Sequence, residues 1–323
     1  PELFPGVVPI VGKHLAFIVF WWILGRFSFW FMDYFGIFFT GFINISLTAY
    51  ISYLAAIPAF RDKNKRHTSL AYSMVSIVII QTIFFLSEAE VLKIDSYRIL
   101  LLSMILFLVL ILLALRRVSM ESINELLNQE NINEIFLAKS FRYNLAIFCL
   151  LLYGFVELFF PNNSTLAYIC FACGSATFAL LNDFVLKENN ILFKPFVLYI
   201  TSTISITAIG FFFLGFNYLF ELNITNHFRH FLTTGSFGMI FYVIMIIVST
   251  IHTGRKIFTI CALTLGLILI IIATFMRVFI PFYIEYSMSL YILSSIIWAI
   301  PFIIYMKIFF PFLLQVRADG IKG

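Results

Sequence analysis

Runs of about twenty mostly apolar residues follow one another along the whole chain, separated by short polar breaks. As a helix, each run is long enough to cross a hydrocarbon core of ~30 Å. Backbone groups in lipid must be satisfied internally, and runs of this length mean helices rather than barrel strands. The pattern predicts ten spans, over residues 14–31, 35–59, 69–87, 97–115, 143–160, 165–186, 195–220, 229–251, 257–280 and 287–314. The second ends at Pro58 and is followed by a basic loop, Arg61 to His67. The fifth is stopped by Pro161-Asn-Asn. The longest connection, 116–140, carries Glu121, Glu125, Glu130 and Glu134. Its ESINELLNQENINEIF pattern suggests a short surface helix on a cytoplasmic loop. The expected fold is an all-α, polytopic membrane helix bundle, with residues 1–323 as a single multi-span domain.

The stretch Asn226–Lys256 stands apart. His227 and His230 precede a membrane-length apolar run without charge, and His252, Arg255 and Lys256 close it. Three of the chain's five histidines therefore belong to one predicted helix. Gly235, Ser236 and Gly238 would let a neighbouring helix come close. His227 and His230, at i and i+3, can share a helix face. His252 lies 22 positions after His230, about 33 Å along a helix at ~1.5 Å per residue, so those two cannot ligate one metal or one haem. Gly254, Arg255 and Lys256 suit a helix C-terminus, as cap and as dipole partners.

Composition agrees with the hydropathy pattern. Hydrophobic residues make up 62% of the chain and charged residues 11%, against roughly 25% charged in soluble domains. The net charge of +5 is no nucleic-acid footprint, because it follows the positive-inside bias. Of the 21 Lys and Arg, sixteen fall on the side that ten spans give to both termini. Three (Lys93, Arg98 and Arg229) fall on the other, and Arg26 and Arg277 lie within helices. This places both ends in the cytoplasm. All four cysteines sit in apolar runs, and the Cys170-x-x-Cys173 spacing reads as packing. The chain opens on Pro1 and no signal-peptide pattern precedes the first helix, so it reads as a fragment lacking its true start.

Arg26 and Arg277 are the two basic residues within predicted spans. Charges at such depth are expensive and mark a partner, a pathway or a ligand. Glu157, Glu285, His227 and His230 fall at similar depth. Two readings stand side by side: snorkelling at the interface, or an outer-side polar site in which an arginine meets an acid or an anionic ligand group.

The chain resembles the NnrS family of bacterial inner-membrane proteins. The resemblance rests on His230-Phe-Leu-Thr-Thr-Gly235-Ser-Phe-Gly238, then Ile251-His252-Thr253-Gly254-Arg255. Met276-Arg277-Val278, Ser294-Ser-Ile-Ile-Trp298-Ala299, the tail from Arg317 to Gly323, and Trp22-Ile-Leu-Gly25-Arg26 follow the family's pattern in order. The resemblance implies a protein of twelve helices that contains haem and copper and is linked to nitric oxide metabolism and nitrosative stress. Nitric oxide or iron–nitrosyl species are its implied partners, along with the lipid bilayer. It also implies two earlier spans with a His-Glu-Met-x-Phe-Gly motif that this chain does not contain. His230 and His252 are the implied ligand candidates, His227 a further metal ligand, and Arg277 and Arg26 partners for anionic groups. The departures from the family include Glu2-Leu3-Phe4 after Pro1, Thr201 in place of a histidine, Leu115-Arg116-Arg117 in place of Gly-Gly-Arg, and Ile247 in place of an arginine.

Two other functions compete. A transporter or channel for a small solute would use intramembrane arginines facing Glu157 or Glu285 along a path. A respiratory oxidase relative would need several mid-membrane histidines, which this chain lacks. No Ser/His/Asp set, P-loop or dinucleotide fingerprint is present.

Overall fold

A computed structural model describes residues 10, 12–61, 68–161, 163–188, 190–318 and 320. The chain's first nine residues, the loop residues Lys63, Lys65, Arg66 and His67, and Asp319 and Ile321–Gly323 of the tail lie outside the described residues. Twelve α-helices follow in order: α1 (Gly12–Trp30), α2 (Met32–Phe35), α3 (Ile37–Arg61), α4 (Thr68–Glu88), α5 (Ser96–Gln129), α6 (Ser140–Phe159), α7 (Thr165–Phe178), α8 (Val197–Leu219), α9 (Thr225–Phe228), α10 (Gly238–His252), α11 (Cys261–Val278) and α12 (Ser287–Leu314). Among the described residues there is no strand, only an isolated bridge between Val185 and Asn190.

Nine stretches among the described residues are long and apolar enough to cross a membrane: α3 to α6, the continuous stretch Thr165–Phe184 that begins with α7, α8, the continuous stretch Thr225–His252, α11, and Ile284–Leu314. This is one fewer than the ten spans the sequence predicts. Helix α1 is 19 residues long but falls short of the nine, because Lys13, His14 and Arg26 dilute its apolar content.

Contacts divide the chain into two compact units. The first holds residues up to Leu113 together with Glu157–Phe159. There α3 packs along α4 and α1 along α3. Buried Asn44 ties α3 to α1: its amide donates to the carbonyls of Gly25 and Thr40, and its Oδ1 accepts from Arg26 Nη2 at 2.5 Å. Thr40 adds a hydroxyl bond to the Ser28 carbonyl.

The second unit runs from Ala114 to Val156 and from Phe160 onward. Where the sequence predicts a span ending near 115 and a separate surface helix, α5 continues without a break to Gln129. Its sequence holds no Gly or Pro, and its apolar face carries on through Leu115, Ile123 and Leu127, all buried. Asn131, at φ +56°, ends it in the left-handed conformation, with Ile132 N–H bonded back to the Leu127 carbonyl. That is the C-terminal capping pattern, with Asn in the glycine position. The Asn124 side chain then holds Phe136 by both its N–H and its carbonyl.

Within this unit α7 packs along α8 and α11 along α12. On α12, Ser294, Pro301, Tyr305 and Phe309 are buried while Ile292, Ile296, Ile303 and Phe310 are exposed. Both faces are apolar, as expected where one meets protein and the other lipid.

Candidate functional site

The stretch between α9 and α10 is not an ordinary α-helix. Phe231–Phe237, FLTTGSF, is a π-helix. Such widened turns frequently mark functional sites, because they free backbone groups from the regular ladder. Here the Thr234 carbonyl accepts a bond from Trp298 Nε1 of α12 at 3.1 Å. An indole N–H in an apolar surrounding needs such an acceptor. The approach depends on small residues: a Cβ on Gly238 would meet Trp298 Nε1 at 2.6 Å, and one on Gly235 would meet Thr274 Cγ2 of α11 at 3.0 Å. Ser236 is buried and shares a hydroxyl bond of 2.6 Å with Thr207 of α8.

The histidines stand just before this turn. The His227 and His230 rings have centroids 6.2 Å apart and lie at 69° to one another. His230 Nδ1 has the hydroxyls of Thr233 and Thr234 at 3.4 Å each, long contacts that leave its ring weakly held. His227 Nδ1 is buried and has no hydrogen-bond partner among the described residues.

Arg277 closes the site from α11. It lies in the last turn of that helix, where the dipole favours a cation. Its Nη1 donates to Ser295 Oγ at 3.0 Å, and its guanidinium sits 5.2 Å from the Tyr291 ring centroid. Its Nε is buried and without an acceptor among the described residues. Arg277 lies within electrostatic reach of His230. No acid pairs with Arg277 among the described residues.

The far end of α10 is built differently. Gly254, at φ +68°, ends the helix, with Gly254 N–H on the Ile251 carbonyl and Arg255 N–H on the Thr250 carbonyl. The Thr253 carbonyl then receives Ala318 N–H at 3.0 Å. The Arg255 guanidinium lies 4.0 Å from the Phe312 ring centroid and donates to Gln315 Oε1. This turn therefore holds the end of α12. His252 beside it is exposed. A Gly254→Ala variant should lose about 1–2 kcal/mol of stability, the cost of a Cβ in left-handed backbone, read as a lowered unfolding midpoint in detergent.

Of the sequence-predicted residues, the structure brings together His227, His230 and Arg277. His252 lies at the other end of the same span, as the spacing requires. Arg26 belongs to the first unit, where it bonds to Asn44. Thr201 is buried on α8 with its hydroxyl 3.5 Å from two backbone carbonyls, and Ile247 is buried on α10. Cys170 and Cys173 are both buried on α7. Sequence reasoning did not place Thr234, Tyr291, Ser295 and Trp298 at the site. The tryptophan in the last span, with its obligatory donor, was the signal that could have found it.

The family model described as NnrS protein matches residues 2–317. The chain belongs to the NnrS family. No curated protein and no solved structure matched it. Of the stretches through which this NnrS chain resembles its family, residues 22–26 lie in the first unit and the others converge in two places. Residues 230–238, 276–278 and 294–299 meet around the π-helix, and residues 251–255 meet the tail near Arg317.

Among the described residues no group of three or more His, Cys, Asp or Glu could hold a metal ion. A haem held through one imidazole would find there a half-buried His230, the Arg277 guanidinium with no paired acid among the described residues, and the unpartnered His227 Nδ1. For copper, His227 and His230 are the pair this chain offers there.

Proposed function

We propose that this NnrS-family protein is a haem-binding protein of the bacterial inner membrane that acts in nitric oxide metabolism or the nitrosative stress response. The observation that carries the reading is Arg277. It is a part-buried guanidinium with a buried, unpartnered Nε, set beside the His227–His230 pair in a chain whose family match is nearly complete. His230 would be the imidazole that holds the haem iron. A neutral imidazole is the common haem-iron ligand, and the loose hydroxyl contacts of its Nδ1 leave the ring free to turn. Arg277 would hold a haem carboxylate, since guanidinium and carboxylate pair with matched geometry. Tyr291 and Trp298 fix Arg277 and the π-helix, so the site is shaped before the ligand arrives. The haem supplies an iron site at which nitric oxide can bind. Copper would be met by the His227 and His230 pair, and both ends of the chain would face the cytoplasm.

The test is an optical spectrum of the purified protein, oxidised and reduced, with elemental analysis for iron and copper. Wild type should show a Soret band and bound iron. His230→Ala should lose the band, and His252→Ala, remote and exposed, should keep it. A wild type without iron and without a Soret band under haem-replete growth overturns the reading.

A further inference from the structure

A second polar cluster, outside the histidine site, lies where the end of α5 meets the start of α6 and the turn after α7. Asp183 is its anion. The side chain is fully enclosed, its Oδ2 accepts from Lys139 N–H at 2.9 Å, and its Oδ1 pairs with Arg142. Both carboxylate oxygens are thus engaged, and the Arg142 charge is matched.

Arg116 is not matched. Its Nη2 donates to the Ser140 hydroxyl and its guanidinium lies 5.9 Å from the Tyr143 ring centroid, but no acid pairs with it among the described residues. Its Nε is buried without a partner. Tyr143, wholly buried, has a hydroxyl with no partner among the described residues, and both Arg116 and Asp183 lie within its electrostatic reach. Ser119, one turn beyond Arg116 on α5, is also wholly buried with an unpartnered hydroxyl. Buried polar groups left without partners are rare in native proteins and point to an occupant.

The chemistry of these atoms selects the occupant. Arg116 Nε can only donate, and Tyr143 and Ser119 each carry an O–H to give. With Asp183 consumed by Arg142, the remaining charge is positive. We propose that Arg116, Tyr143 and Ser119 form a binding site for an oxyanion, either a small free ion or the phosphate of an anionic lipid headgroup. A guanidinium edge flanked by hydroxyl donors is the arrangement that meets several oxygens of one oxyanion. The site is independent of the haem reading, because it shares no residue with the histidine cluster.

The test uses the full chain in neutral detergent, titrated calorimetrically with sodium nitrate and with sodium phosphate against sodium chloride at equal ionic strength. In parallel, its unfolding midpoint is compared in nanodiscs of phosphatidylcholine with and without phosphatidylglycerol. Saturable heat with nitrate or phosphate, absent with chloride, identifies a free oxyanion. A midpoint raised by phosphatidylglycerol alone identifies the headgroup. In either case Tyr143→Phe, which removes only the hydroxyl, should bind about tenfold more weakly, and Arg116→Gln should abolish binding. Should no oxyanion or anionic lipid act on the wild type, or should Tyr143→Phe bind as wild type does, the proposal is overturned. Arg116→Lys, which keeps the charge and loses the planar fork, separates loss of the fold from loss of the site. It should remain folded and recover part of the binding.

Discussion

Replacing Asp183 with alanine is expected to destabilise the protein by about 3–5 kcal/mol, the usual consequence of removing one partner from a buried ion pair. The carboxylate is fully enclosed, so the loss leaves Arg142 without its anion and Lys139 N–H without its acceptor. It also detaches the 130–139 segment from the turn after α7, a join reinforced by Glu188 N–H on Glu134 and by the Lys194–Glu130 pair. The measurement is unfolding in mixed micelles, followed by circular dichroism. A double variant, Asp183→Leu with Arg142→Leu, should recover much of the loss, because two apolar side chains leave no buried charge behind. Equal stability of Asp183→Ala and wild type would show that the pair contributes nothing and that the segment is held by its other contacts.

The second large effect concerns the candidate site. Gly238→Val should overpack the contact with Trp298, whose Nε1 lies where a Cβ would stand, at a cost of about 1–3 kcal/mol. The indole must move away from the Thr234 carbonyl, and the π-helix that follows His230 loses its anchor on α12. Trp298→Phe removes the hydrogen bond without the clash and should cost only about 1 kcal/mol. If the proposed haem reading holds, Gly238→Val should also lower the Soret absorbance per protein, although it leaves every ligand candidate in place. Unchanged stability and an unchanged spectrum in Gly238→Val would mean that α12 does not press on the π-helix.

Much of this protein is legible without coordinates. The apolar runs mark where helices must form, because lipid accepts no unpaired backbone. The prolines and polar breaks mark where most of them end. The family was readable from the ordered motifs between Trp22 and Arg317. The spacing of His230 and His252 put them at opposite ends of one span before any fold was known, and the structure has them there. The small residues Gly235, Ser236 and Gly238 announced a close helix approach, and the structure shows α8, α11 and α12 making it.

The boundary of α5 was not legible in the same way. The polar composition after residue 115 reads as a loop with a short, separate surface helix, yet charged residues on one face and buried Ile123 and Leu127 on the other make it a continuation of α5. Composition averages over both faces and loses that distinction.

The sequence by itself determined that the chain is a membrane helix bundle, which family it belongs to, and which polar residues break the apolar runs. Only the tertiary structure decided which of them meet: Arg277 with Ser295 and Tyr291, Trp298 with Thr234, and Arg116 with Tyr143 and Ser140. The reason lies in the solvent. In water a helix shows its inner face by its apolar stripe, but lipid is as apolar as the protein interior. On α12, buried Tyr305 and Phe309 and exposed Ile303 and Phe310 are alike in hydropathy. Periodicity therefore cannot tell which face turns inward, and the pairing of helices is left to close packing and to a few hydrogen bonds between residues far apart in sequence.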